Sequence, residues 1–210
     1  MKGKPYLVGL TGSIGMGKST TGKMFANAGV PIWDADAAVH RLYEKNGAAV
    51  PEISKLCPEA TGTGSVDRDI LSKWIAVSPE RLSAIEAIVH PLVAADRLNF
   101  IAASDAPILL FDIPLLFETG TDRLMDATVV VTTDSSIQRQ RVLAREGMTP
   151  ERLDAILDRQ LPDSEKRARA DYVIHTGTLE AARASVQAVL RDIGDRAHAR
   201  NRAGYGNDGI

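Results

Sequence analysis

The chain has 210 residues, 44% of them hydrophobic, enough for one substantial core. Its formal net charge of -2 gives no general electrostatic pull towards nucleic acid or an anionic membrane, so neither is an expected partner. A single cysteine, Cys57, excludes an intramolecular disulfide and suits a reducing cytosol. No apolar run approaches the ~18 residues of a membrane span, because Asp112 splits the richest one, Ile108 to Phe117.

Tyr6 to Thr11 reads as a short buried strand. The basic Met1-Lys2-Gly3-Lys4 ahead of it looks like a secretory leader, but Thr11 and the glycines beyond interrupt the apolar run too early. The strand leads into Gly12-Ser13-Ile14-Gly15-Met16-Gly17-Lys18-Ser19-Thr20, which fits G-x-x-x-x-G-K-[ST], the loop that cradles nucleotide phosphates. Glycines let the backbone approach the phosphates, and the loop N–H groups and the N-terminus of a helix over Ser19 to Ala28 face negative charge. Lys18 would reach the β- and γ-phosphates, Ser19 would hold Mg²⁺, and Thr20 would lie beside the α-phosphate.

A second strand, Val30 to Trp33, ends in Asp34-Ala35-Asp36. In a parallel sheet its carboxyl end opens on the same edge as the phosphate loop, where Asp36 would orient and deprotonate a substrate hydroxyl. Capping the next helix is the alternative role for either Asp. From Ala37 to Asp105 the periodicity is helical, with Ile85, Ile88, Val89, Leu92 and Val93 on one face and a loop over Pro58 to Ser65. This stretch reads as a helical substrate insertion.

A third strand, Ile108 to Ile113, presents Asp112 to a metal through water, or simply ends there in a turn. Ile113 stands where many ATP-hydrolysing machines carry a water-activating Glu, so transfer to a bound acceptor is favoured over hydrolysis. Strands over Thr128 to Thr132 and Tyr172 to His175 complete a five-stranded parallel α/β sheet. Between them lies a helical excursion, Ser135 to about Ala168, with a helix starting at Pro150 behind the cap Thr149. Gln138, Arg141 and Arg145 fall at i, i+3 and i+7, so the two arginines share a helix face, as a phosphate clamp or as solvated charge. Gly194 to Ile210 is polar, and its composition predicts a disordered tail.

Taken together these motifs resemble the dephospho-coenzyme A kinase family over nearly all of residues 6 to 180. The resemblance rests on the loop Thr11 to Thr20, Asp34-Ala35-Asp36, Asp67-Arg68 followed by Leu71, His90-Pro91, and Asp112-Ile113-Pro114-Leu115-Leu116-Phe117-Glu118. It continues with Gln138-x-x-Arg141-x-x-x-Arg145, Gln160, Lys166 and Ala170-Asp171. It implies a P-loop NTPase three-layer fold. The core would comprise residues 1–36, 106–140 and 169–193, with an acceptor-binding insertion at 37–105, a lid at 141–168 and the tail at 194–210. It further implies transfer of the ATP γ-phosphate to the ribose 3'-hydroxyl of dephospho-coenzyme A, using Mg²⁺ held by Ser19 and Asp112; the protein is expected in the cytoplasm, and the sequence does not fix its oligomeric state, a monomer being favoured.

Residue by residue, the resemblance makes Asp36 the base, with Lys18, Arg141 and Arg145 also catalytic and Arg145 on ATP. Arg68, His90, Pro114, Leu115, Leu116, Phe117 and Glu118 line the acceptor site. His90, which precedes a proline on an apolar helix, also reads as a purely structural residue. Two departures stand out. The family's Asn-containing turn near the adenine is replaced by Ile174-His175-Thr176-Gly177, and Trp74-Ile75 replaces the usual Val-Phe. Another small-molecule P-loop kinase, or a nucleotide-gated regulator without catalysis, is the alternative.

Overall fold

The computed structural model describes residues 4–205, with side chains to residue 202. Its β-branched and leucine-rich runs form five strands: β1 (Tyr6–Thr11), β2 (Ile32–Asp34), β3 (Ile108–Asp112), β4 (Ala127–Thr132) and β5 (Tyr172–His175). They make one sheet in the order β2-β3-β1-β4-β5. β1 lies parallel to β3, with Leu10 opposite Asp112, and parallel to β4, with Thr11 opposite Val130. β4 and β5 are likewise parallel. Central position explains the composition: β4 is buried at all six residues, as a strand covered on both faces must be.

Two compact units share the chain, one built from residues up to Trp33 and from Ser104 onward, the other from Asp34–Ala103. The first holds the whole β1, β3, β4 and β5 core. Helix α1 (Lys18–Asn27) contributes Phe25 to it, and α9 (Leu179–Tyr205) contributes Ala182, Val186, Val189, Ile193 and Ala197, a stripe of helical period.

That stripe corrects the expectation of disorder beyond Gly194. The helix runs on to Tyr205 because Ile193 and Ala197 are still buried. Arg200 also donates to the carbonyls of Lys4 and Pro5, each at 2.8 Å, pairs with Asp126 at 2.8 Å and lies 4.9 Å over the Tyr6 ring. A polar composition conceals this, since beyond Gly194 the contacts are made by Ala197 and by arginines, Arg196 lying 5.4 Å over the Tyr172 ring. Residues 206–210 of the expected tail lie outside the described residues.

The second unit comprises α2 (Ala35–Tyr43), α3 (Val50–Leu56), α4 (Arg68–Ile75) and α5 (Pro79–Ala103). They enclose Leu42, Val50, Ile53, Leu71, Ile85 and Val89, while Ile88, Leu92 and Val93 pack against that cluster, the face read from the sequence. Arg41 of α2 bridges Asp96 of α5 at 2.6 Å. Part of the stretch expected as loop, Pro58–Thr61, is instead a turn of 3-10 helix. Among the described residues no helix is long and apolar enough to cross a membrane.

Candidate active site

β1 hands the chain to the phosphate loop at the sheet edge where the strand order reverses. Gly17, just before α1, has φ 91, a conformation that L side chains avoid. Gly12 is fixed by space: a Cβ there would lie 2.8 Å from the Val131 carbonyl oxygen on β4. Lys18 opens α1, and its ammonium pairs with the Asp112 carboxylate at the end of β3. Ser19 and Thr20 stand exposed in the first helical turn, where N–H groups have no intrahelical acceptor. Cation at Lys18, hydroxyl at Ser19, carboxylate at Asp112 and free helix N-terminus together suit a polyphosphate.

The loop is held from outside by residues far away in sequence. Gln138, buried on α6 (Ser135–Leu143), donates Nε2 to the Ile14 carbonyl at 2.8 Å, and Gln160 Oε1 accepts from the Ile14 N–H at 3.2 Å. Thr176, just past β5 and only 7% exposed, donates its hydroxyl to the Met16 carbonyl at 2.7 Å. Arg141 in turn donates to the Thr176 carbonyl at 2.7 Å and to its Oγ1 at 3.2 Å. Thr176 was invisible as a site residue, because a lone Thr after a strand carries no local signal. Its place in the departure from the family turn was the one available clue.

Arg145 lies just beyond the helix on which it was expected. α6 ends at Leu143 with Ala144 as its C-cap, and Arg145 sits exposed in the turn that follows. That turn reverses the chain through Gly147 at φ 72, so that α7 (Pro150–Leu157) packs back on α6, capped by Thr149 as expected.

Pro114–Glu118 leaves the same sheet edge. Thr11 Oγ1 donates to the Pro114 carbonyl at 2.9 Å. Of the three apolar side chains expected to wall an acceptor, only Leu115 is presented outward, at 40% exposure; Leu116 is fully buried and Phe117 5% exposed. Those two anchor the segment instead, because both turn their apolar side chains inward to the core. Glu118 accepts from the Leu161 N–H at 2.8 Å and pairs with Lys166 of α8 (Asp163–Arg169) at 2.9 Å. Burial pushes the Glu118 carboxyl up, but Lys166 and the backbone donors outweigh it and hold the group below the ordinary carboxylate value.

Of Asp34 and Asp36, the structure assigns capping of α2 to the first only. Asp34 accepts from the Ala37 N–H at 2.8 Å as N-cap of α2, which leaves Asp36 exposed in the first turn without that duty. Arg68 begins α4 behind its cap Asp67 and lies 5.6 Å over the Tyr43 ring. Burial raises the Tyr43 hydroxyl pKa, and Arg68 partly opposes the shift. His90 is exposed on α5, ahead of Pro91 inside that helix.

The donors available to a metal are oxygens: the Ser19 hydroxyl and the Asp112 carboxylate. Among the described residues no three His, Cys, Asp or Glu side chains gather as a cage. One hydroxyl and one carboxylate fit Mg²⁺ that arrives with its nucleotide and keeps several waters.

A family profile described as dephospho-CoA kinase matches residues 6–181. The dephospho-CoA kinase of Cereibacter sphaeroides is 54% identical over 196 residues, 93% of this chain and 100% of that protein. A solved structure from Thermus thermophilus is 34% identical with a TM-score of 0.80, covering 90% of this chain and 97% of that one. The dephospho-CoA kinase of Campylobacter jejuni, at 24% identity and a TM-score of 0.63, covers 90% of this chain and 98% of its own, and shares the fold. With the phosphate loop, the Lys18–Asp112 pair and the parallel sheet in place, the chain belongs to the dephospho-CoA kinase family.

Proposed function

We propose that this enzyme transfers the γ-phosphate of ATP to the ribose 3'-hydroxyl of dephospho-coenzyme A, giving coenzyme A and ADP. The observation that carries the reading is the phosphate loop with Lys18 and Asp112 in a chain that matches the family over residues 6–181. Gly12, Ser13, Ile14, Gly15, Met16, Gly17, Lys18, Ser19 and Thr20 bind the triphosphate by backbone N–H groups, ammonium and hydroxyls. Mg²⁺, held by Ser19 and through water by Asp112, would neutralise charge on the β- and γ-phosphates.

The 3'-oxygen forms its bond to the γ-phosphorus as the bond to the β–γ bridging oxygen breaks, and that oxygen leaves on ADP. Asp36 orients the attacking hydroxyl and takes its proton. A carboxylate is a weak base towards an alcohol. The loose transition state needs little early proton removal, so positioning matters more than basicity. Lys18, Arg141 and Arg145 stabilise the spreading phosphoryl charge. Arg141 also keeps Thr176, and through it the Met16 carbonyl, in place.

Arg68, His90, Pro114, Leu115 and Glu118 receive the acceptor, with Leu116 and Phe117 holding that segment from the core side. Residues 141–168 form a lid that closes over ATP and excludes water. The enzyme works as a monomer in the cytoplasm, where both substrates are small soluble anions. The test is ADP release from Mg·ATP with and without dephospho-coenzyme A, with mass detection of one added phosphate. Acceptor-dependent ADP and a product of coenzyme A mass are expected; ATP binding without acceptor-dependent turnover refutes the proposal.

A further inference from the structure

We propose that Gln160 and Lys166 are positioning residues that tie the phosphate loop to the acceptor segment Pro114–Glu118, so that donor and acceptor are held in register by one short piece of chain. The proposal rests on the reading of Glu118 as an acceptor-site residue.

Adjacent residues in the turn between α7 and α8 face two different parts of the site. Gln160 holds the Ile14 N–H through its side chain at 3.2 Å, and Leu161 holds Glu118 Oε1 through its backbone N–H at 2.8 Å. A few residues on, Lys166 brings its ammonium to the same carboxylate oxygen at 2.9 Å, and Arg169 lies 4.6 Å over the ring of Phe117. The helix that carries them is fastened to the sheet, because Asp163 accepts from the Thr132 hydroxyl at 2.9 Å. Pro114, at the other end of the segment, is held by Thr11, the residue before the loop. The segment is therefore held at one end by the residue that precedes the loop and at the other by the stretch of chain whose Gln160 holds the loop.

Lys166 is the informative member. Its side chain is fully buried, at 0% exposure, and a buried ammonium carries a desolvation cost that a methionine of similar length does not. A charge retained at that cost does not add cohesion cheaply; it directs the Glu118 carboxylate. Gln160 makes its contact with a backbone group of the loop and none with Glu118, which separates the two ends of the device chemically.

The experiment is a double-mutant cycle on kcat/KM for dephospho-coenzyme A, with Lys166→Met and Gln160→Ala alone and together. Each single variant should lower kcat/KM by about tenfold, Lys166→Met mainly through KM for the acceptor. The dissociation constant of a non-hydrolysable ATP analogue should stay within about twofold for Lys166→Met, a split that general loosening would not give. Because the two residues form one device, the double variant should fall no further than the worse single one, and Lys166→Arg should recover part of the loss. Effects that multiply, or an equal loss of ATP-analogue affinity, would overturn the proposal. Should Lys166→Met not fold, Lys166→Arg carries the cycle against Gln160→Ala with the same criteria. Wild-type enzyme that fails to phosphorylate dephospho-coenzyme A overturns the functional reading itself; normal wild-type turnover with multiplicative variants overturns only the link.

Discussion

Replacing Thr176 by valine keeps shape and removes one hydroxyl. In the structure that hydroxyl donates to the Met16 carbonyl at 2.7 Å and accepts from Arg141 at 3.2 Å, in a place only 7% exposed. Losing a neutral hydrogen bond costs about 1 kcal/mol, and leaving a buried acceptor unpaired adds roughly 1–2 kcal/mol more. Arg141 keeps its bond to the Thr176 carbonyl, so the charged contribution is largely spared. The expected loss is about 2–3 kcal/mol, which for a domain of this size lowers Tm by roughly 4–12 °C. Thermal melts of Thr176→Val and Thr176→Ser, with ATP KM measured on each, make the assay. Serine should stay near wild type, and valine should also raise KM for ATP, because the Met16 carbonyl is part of the loop. Valine within about 0.5 kcal/mol of wild type in stability, with an unchanged ATP KM, would refute the idea that Thr176 organises the loop.

Lys18→Ala should lower turnover by two or more orders of magnitude, about 3 kcal/mol in the barrier, with little loss of folding; acceptor-dependent ADP release checks it. Asp36→Asn should do the same and leave the melting curve nearly unmoved, because Asp36 is exposed and Asp34 does the capping; near-normal turnover of the folded variant removes Asp36 from the mechanism. Glu118 titrates below its ordinary value in the folded protein, so its contribution to stability is complete above the unfolded pKa of about 4.3 and disappears as pH falls through the lower folded value. Acid unfolding of Glu118→Gln should accordingly be flatter than wild type below about pH 4.3, measured by denaturant melts across pH. Amide exchange in residues 141–166 should slow on adding ATP, and unchanged exchange there counts against a lid.

The sequence by itself determined the features whose causes are local. The G-x-x-x-x-G-K-S spacing gives the loop, because positive φ at Gly17 and the start of α1 at Lys18 follow from residues within nine positions. Apolar runs gave the five strands, since a parallel sheet buried on both faces leaves no other composition. Thr149-Pro150 likewise announced the start of α7. Helical periodicity gave the face of α5 that carries Ile85 and Val89.

Tertiary structure alone decided what depends on contacts across long stretches of chain. Which aspartate caps α2 and which stays available was open in Asp34-Ala35-Asp36, because both spacings are compatible with a cap. The end of α6 at Leu143 was not legible because helical spacing says nothing of where a helix stops, and the burial of Leu116 and Phe117 was not because composition does not reveal which side of a loop faces the core. Order beyond Gly194 came from Arg200 reaching carbonyls nearly two hundred residues earlier in the chain. The grip on the phosphate loop by Gln138, Gln160 and Thr176 belongs to the same class. Each of those side chains meets a backbone group whose position is set only when the sheet has formed, so no window of sequence contains the interaction.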